Sequence, residues 1–416
     1  MKQQYILYFF FLVICLLSFQ ENSFAQNVGI GTNTPLFKLD VKGGINADSG
    51  YNIGGNRVLT VKGIYNTFVG TNSGIVNTTG SYNTAIGNTA LWLNSIGSYN
   101  TAIGPNTLFV NTNGGYNVAI GPYALFRNTS GYANTATGGN CLINNTTGGN
   151  NAAHGYRALY NNTTGSHNTA SGISALYSNT TGDENIGSGN KALFGNTTGK
   201  GNIALGYETL FFTTASSYNT ILGYHAGFTN NLGWNNTLIG ADCNVTASGI
   251  YNSVGLGNAV SVTASNVARI ANNYTVSIGG FANWTAISDG RFKKNIQEDV
   301  KGLAFIMKLR PVTYHLDVSG ISEKINNNKS QTLNADMQTA AAEKEKIIQS
   351  GFIAQEVEQA AKELGYDFSG VDKPKNESDF YGLRYAEFVV PLVKAVQEQQ
   401  QQIDDLKKII KELHKQ

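Results

Sequence analysis

Asparagine returns every seventeen residues from Asn66 through Asn83, Asn100 and Asn117 to Asn236, eleven times in register. Four residues after each stands a glycine, from Gly70 and Gly87 to Gly240, and Gly257 continues the series with Ser253 in the asparagine place. Leucine fills the eighth place after the asparagine from Leu91 to Leu210. Most units close on a second polar group, such as Asn145-Thr146-Thr147-Gly148 or Asn196-Thr197-Thr198-Gly199. A fixed period of this length requires a chain to fold by stacking one short unit on the next.

The unit reads as one coil of a solenoid. Asn-Thr-Ala-Ile is a short strand whose alternate side chains face in and out. The glycine after it permits a corner with positive φ or a close backbone approach. Ala-Leu gives a second inward contact, and Asn-Thr-Thr-Gly is turn chemistry. One unit cannot bury its own apolar face, but stacked units can. Asparagine at one fixed place predicts a ladder of side-chain amides along the axis. At about 4.8 Å per coil, twelve coils make a rod of roughly 55–60 Å.

The repeat also decides how other residues are read. Cys141 and Cys243 each follow a repeat asparagine by seven, in units six apart. A straight stack separates them by about 29 Å, beyond disulfide reach, so both are expected as small buried hydrophobes. Residues 57–280 hold four carboxylates, Asp183, Glu184, Glu208 and Asp242. Glycan cleavage needs an acid pair flanking one bond, and exposed turn residues are the plainer reading. His154, His167 and His225 share no ligand-like spacing, and no metal or cofactor is expected. Tyr99, Tyr116, Trp92 and Trp234 are read as core or coil-capping residues ahead of a sugar-stacking surface.

The Asn-Thr-Ala-Ile-Gly core at 83–87 and 100–104 resembles the head of trimeric autotransporter adhesins, whose Asn-Ser-x-Ala-x-Gly units form a left-handed parallel β-roll. That family's unit is usually shorter than seventeen residues, which leaves cross-section and handedness open here. No membrane-anchoring β-barrel follows, so the resemblance does not extend to autotransport.

The two ends differ from the middle. Lys2, the apolar run Tyr5–Phe19 and Ser23-Phe24-Ala25 read as a secretory signal peptide over 1–25. No later stretch is long and apolar enough to span a bilayer. Asn27–Thr32 and Lys38–Gly43 look like a short β segment, within an N-terminal cap over 26–64 that resembles the leader of secreted and phage fibre proteins. Residues 51–280 hold 11 charged side chains, whereas 281–416 hold 39. That contrast marks a seam near 285. The net charge of +2 gives no case for a nucleic-acid partner.

After the seam come Ser288-Asp289-Gly290-Arg291-Phe292-Lys293, Leu309-Arg310-Pro311-Val312, Gly351-Phe352-Ile353-Ala354-Gln355-Glu356 and Tyr385-Ala386-Glu387-Phe388. In this order they resemble the intramolecular chaperone of endosialidase-type tailspikes, a self-cleaving serine peptidase family, over about 285–416. The resemblance implies a catalytic dyad of Ser288 and Lys293 and a cut between Ile287 and Ser288. A serine hydroxyl needs a base, and a lysine serves as one only when burial or a nearby cation favours its neutral form. Arg291 and Lys294 stand near enough in sequence to supply such a field. Asp289 and Arg291 either orient the dyad or form a structural ion pair, and cleavage within one chain or between chains stays open. Residues 319–346 read as a variable loop or short helix. Leu392, Val396, Gln399, Ile403, Leu406, Ile410 and Leu413 alternate four and three apart, a coiled-coil seam over about 380–414. Its residue types fit two strands, and the family implies three.

The expected molecule is therefore mainly β. It is a trimeric parallel β-roll or β-helix of 17-residue repeats over 65–280, a linker at 281–287, and a small α+β chaperone at 288–416. Its expected role is a secreted or cell-surface, adhesin-like fibre whose C-terminal domain templates the homotrimer and then removes itself in a single turnover. A cell-surface glycan or receptor is the partner such a rod would meet. A phage-derived receptor-binding fibre is the alternative, and a glycan-degrading enzyme the weakest reading.

Overall fold

A computed structural model of the chain describes residues 28–30, 34, 38–41, 51–229, 232–281, 284–325 and 335–415. The signal-peptide reading at 1–25 lies outside the described residues. Of the N-terminal β segment, Val28–Ile30 pairs in parallel with Leu39–Val41.

The middle of the chain is a parallel β-solenoid of seventeen-residue coils. Each asparagine is followed by a three-residue strand, such as Thr84–Ile86 and Thr101–Ile103. Strands pair one coil apart, with Ala85 opposite Ala102 and Ala153 opposite Ala170. They belong to one fifteen-stranded sheet that begins with the antiparallel hairpin Tyr51–Ile53 and Asn56–Thr60 and ends on Ala268–Ile270. The middle residue of each strand faces inward, where the alanines, the leucine column, Cys141 and Cys243 form one continuous core. Both thiols are free, and burial pushes them up, to about 12 for Cys141 and about 11 for Cys243.

The asparagine ladder is present and carries more bonds than a simple stack. Asn100 Nδ2 donates to Asn83 Oδ1 at 3.2 Å and to Gly114 O at 2.9 Å, while its backbone N–H donates to the same Asn83 Oδ1 at 2.9 Å. Every one of these groups is buried, where an unpaired amide is costly. A second ladder runs through the Asn-Thr-Thr-Gly turns. Asn111 Nδ2 bonds Asn94 Oδ1 at 2.7 Å and Gly114 O at 2.9 Å. The repeat glycine is required on two counts. Gly172 has φ +134°, and a Cβ there would lie 2.4 Å from Gly189 O in the next coil. The buried leucines sit at φ near +50°, as in Leu159 at +51°. That is an unfavourable conformation for a side-chain-bearing residue, held here by stacked neighbours.

The aromatic residues form ladders too. Tyr82 and Tyr99 stack at 4.8 Å and 4°, Tyr99 and Tyr116 at 4.8 Å and 7°, and Trp234 and Tyr251 at 4.8 Å and 7°. Trp92 meets Phe109 edge-on at 4.6 Å. At coil spacing each inner tyrosine ring, such as Tyr82 and Tyr99, is covered on both faces by its neighbours, whereas Tyr116 ends its stack and is exposed, so these rings are a surface ladder and not core.

The C-terminal region is small and α/β. It contains helices α1 (Leu303–Ile306), α2 (Val318–Ile325), α3 (Ala335–Glu345), α4 (Ala354–Glu363) and α5 (Val389–Leu413). Two short antiparallel pairs join Val312–Tyr314 to Gln349–Gly351 and Val371–Asp372 to Gly382–Leu383. Phe305, Val357, Phe368 and Phe388 centre its core. The stretch 319–346, read as a loop or short helix, holds α3 and all of α2 but its first residue, Val318. Helix α5 buries Pro391 and Ala395, and Glu398 accepts from Leu303 N at 2.7 Å. Leu392, Val396, Ile403, Leu406, Ile410 and Leu413 remain exposed. Among the described residues no helix is long and apolar enough to cross a membrane.

Candidate functional site

Ser288 and Lys293 lie in the segment between the last coil and α1. Asp289 caps a 3-10 turn at Gly290–Phe292, accepting from Arg291 N at 2.9 Å. That turn folds the chain back, so Lys293 returns to Ser288 although it stands five positions further along the chain. Lys293 Nζ donates to Ser288 Oγ at 2.9 Å. A hydroxyl and an amine at this distance can exchange a proton directly.

Two of the neighbouring charges pair with each other. Arg291 forks onto Asp289, with Nε 3.0 Å from Oδ2 and Nη2 2.6 Å from Oδ2. The Arg291 side chain, and then its backbone N–H, hold the Asp289 carboxyl below its usual range. Of the two options left open for Asp289 and Arg291, the geometry is that of an ion pair, and Asp289 also shapes the turn. The guanidinium therefore faces Asp289. Ser288, Lys293 and Lys294 are all exposed, as are the apolar side chains beside them, Ile287, Phe292 and Ile296.

Residues 288–366 match the family described as chaperone of endosialidase. The matched segment begins at Ser288 and carries α1 to α4. It stops short of Phe368 and Phe388, which complete the core of the chaperone-like region, and of α5. No curated protein and no solved structure matches the chain. A domain of this family joined to a β-solenoid fits a trimeric, fibre-like protein.

The rod's carboxylates do not converge on a bond-cleaving pair. Asp183 bonds Lys200 at 2.9 Å, Glu208 bonds Lys191 at 2.9 Å, and His225 stands 3.2 Å from Glu208 and 3.9 Å from Asp242. Lys191, Glu208, His225 and Asp242 recur at the seventeen-residue period, so they are a charged rung of the stack. Among the described residues no group of three or more His, Cys, Asp or Glu is placed to hold a metal. The pattern reading missed a cluster around Asp379, which is buried against Thr263 and Arg269 of the last coil. Ser378-Asp379-Phe380 carries no motif, and the pairing spans 116 residues, so no local signal marks it.

Proposed function

We propose that the chain is a secreted fibre protein that assembles as a homotrimer and cuts itself once, between Ile287 and Ser288. In this reading Ser288 Oγ attacks the Ile287 carbonyl carbon. Lys293 in its neutral form takes the hydroxyl proton and passes it to the departing Ser288 nitrogen as the C–N bond breaks. The resulting ester is hydrolysed by water, releasing the Ile287 carboxylate and restoring the Ser288 hydroxyl. The observation that carries this is the 2.9 Å contact between Lys293 Nζ and Ser288 Oγ at the first residue of the family match.

Trimerisation supplies what the single chain lacks. The dyad is open to water, and a lysine base needs burial or a neighbouring cation. Joining three copies through the exposed stripe of α5 would bring three dyads and their exposed neighbours Ile287 and Phe292 into one assembly, where a partner chain can bury them. Alike coils make a one-unit slip easy to trap. A C-terminal module that aligns the chains first removes that hazard, and severing its covalent link afterwards makes unfolding slow. The rod then acts as a stiff surface-exposed spacer with an adhesin-like role, its signal peptide directing export. Against a glycan-degrading reading stand the paired carboxylates of the rod.

The test is a denaturing gel of wild type, Ser288→Ala, Lys293→Ala and Lys293→Arg, with the N-terminus of the small fragment determined. Wild type should give two pieces, the smaller beginning at Ser288. All three variants should stay whole yet still assemble, because arginine keeps its proton and cannot serve as base. Normal cleavage in Ser288→Ala would remove Ser288 as nucleophile.

A further inference from the structure

The peptide bond assigned to cleavage lies in an exposed strap, but the two sides of that bond are joined elsewhere. Val276, Ile278, Trp284, Ile287 and Ile296 along the strap are all largely exposed. Upstream of it, the last coil and its tail present Thr263, Arg269 and the 273–275 backbone. Downstream, α2, α3 and the loop before Gly382–Leu383 close on them.

The contacts are buried or half-buried and include charges. Asp379, 4% exposed, accepts from Thr263 Oγ1 at 2.6 Å and from Lys375 N at 3.1 Å, and faces Arg269 at 3.7 Å. Asn376 Nδ2 donates to Thr263 O at 2.7 Å. On the other flank, Lys344 Nζ of α3 donates to the carbonyls of Asn273 and Thr275 at 2.9 and 2.7 Å. Burial pushes the Lys344 ammonium downward, which fits a group drawn out of water by its partners. Asn273 Nδ2 donates to the buried Ser322 Oγ of α2 at 2.6 Å. Apart from the Lys375 bond, which lies within the module, each of these contacts joins a residue before Ile287 to one after Ser288, so cutting the strap breaks none of them.

We propose that the C-terminal module stays seated on the rod after the cut, as a non-covalent cap held by the Asp379 and Lys344 contacts. The inference rests on the self-cleavage reading above. The seat has a purpose in the architecture. Ala268–Ile270 is the last strand of the fifteen-stranded sheet and pairs on one side with Val254–Leu256. An uncapped solenoid end is an open edge that recruits other edges. The severed module sits against that end through Thr263, Arg269 and the carbonyls of Asn273 and Thr275, so the molecule keeps a cap while losing the covalent template for reversal.

The experiment uses the full chain after export and cleavage. A denaturing gel reports the cut, and native size exclusion of the same sample reports the seat. The expected result is two fragments on the gel that co-elute in the native column. Asp379→Ala and Lys344→Ala should each be cut normally but hold the small fragment at least about ten-fold more weakly, since each removes a charge-assisted bond. Should either fold poorly, Asn376→Ala, which removes one neutral bond, should give a smaller loss in the same direction. Two fragments that separate on the native column in wild type overturn the cap. An uncut chain on the gel overturns the cleavage reading alone. The cap is then tested by inserting a protease site between Thr285 and Ala286, cutting there and repeating the native column.

Discussion

The rod and the C-terminal module solve the same problem of burial by opposite means. In the rod one solution is repeated coil after coil. Each asparagine has the same donors and acceptors, each glycine meets the next coil's carbonyl, and each leucine takes the same strained corner. In the module every contact is made once, and its core is a cluster around Phe305, Val357, Phe368 and Phe388. A repeated contact is hard to change at any position, because the coils above and below are fixed to it. A unique contact is hard to change only where it happens to be crowded.

Glycine substitution separates the two regions most strongly. Gly172→Ala in the rod places a Cβ 2.4 Å from Gly189 O at φ +134°. Strain and overlap together should cost at least about 3 kcal/mol, read as a large fall in the rod's melting temperature. Gly365 in the module also has positive φ, +59°, but a Cβ there meets nothing within 4 Å. Gly365→Ala should cost roughly 1 kcal/mol. Equal losses in the two would break the distinction.

Acid offers the second comparison. The rod's ladders are neutral amides, and its lowered carboxylates are Asp183 and Glu208. In the module, Lys373 first and then Tyr381 hold Glu358 down, and Lys308 first and then Gln359 hold Glu363 down. Asp379 is pushed up by burial, but its bonds from Thr263, Lys375 N and Phe380 N, with the charge of Arg269, carry it below the ordinary 3.8. Lys324 also reaches its backbone carbonyl. A carboxyl with a depressed folded value stabilises the fold above its unfolded value. That contribution is lost as pH falls through the folded value. The module and its seat should therefore weaken from about pH 4.5, the ordinary glutamate value, downward, while the rod changes less. Circular dichroism resolves the two, with helix signal reporting the module and sheet signal the rod. A rod that melts first in acid would contradict this.

These contrasts also set what the amino-acid order reveals. A period makes its own constraint visible. The strand asparagines, the glycine corner and the buried place of Cys141 all follow from spacing. The left-handed corner at Leu159 does not, because leucine there looks like ordinary core and its φ is imposed by the coil's closure. The aromatic ladders are likewise a property of stacking, visible once the coil spacing brings Tyr82 onto Tyr99. In the module, Ser288 and Lys293 are legible through a family resemblance, and the turn that joins them is local. The seat of Asp379 on Thr263 is not legible, because nothing in either segment refers to the other. Ser322 and Lys344 are hidden for the same reason.

The smallest effect tests whether the rod's rules hold where its own sequence breaks them. The turn ladder passes through Asn162, Asn179 and Asn196 and is interrupted at Thr213. At the break, Asn196 Oδ1 and Thr213 Oγ1 are buried without a hydrogen-bond partner. The glycine three residues on changes with it, since Ser216 stands where Gly182 and Gly199 stand in earlier coils. The two changes are linked physically. A Cβ at Gly182 would lie 2.4 Å from Asn179 Oδ1, and one at Gly199 2.3 Å from Asn196 Oδ1. The next coil's carbonyl is as close, 2.4 Å at Gly182 and 2.1 Å at Gly199, so the glycine answers both contacts, and the shorter threonine at 213 removes the asparagine's share of the crowding at Ser216. Thr213→Asn alone should destabilise by crowding Ser216. Thr213→Asn with Ser216→Gly should restore the ladder and satisfy Asn196 Oδ1, a gain of about 1 kcal/mol. Ser216→Gly alone should lose about 1 kcal/mol, through chain entropy and the loss of the hydroxyl's bond to Leu232 O. The double-mutant cycle should then show a favourable coupling of about 1 kcal/mol or more, measured by denaturant midpoints of the rod. Additive effects would mean that the asparagine and glycine columns are independent, and the ladder would lose its claim to be one unit.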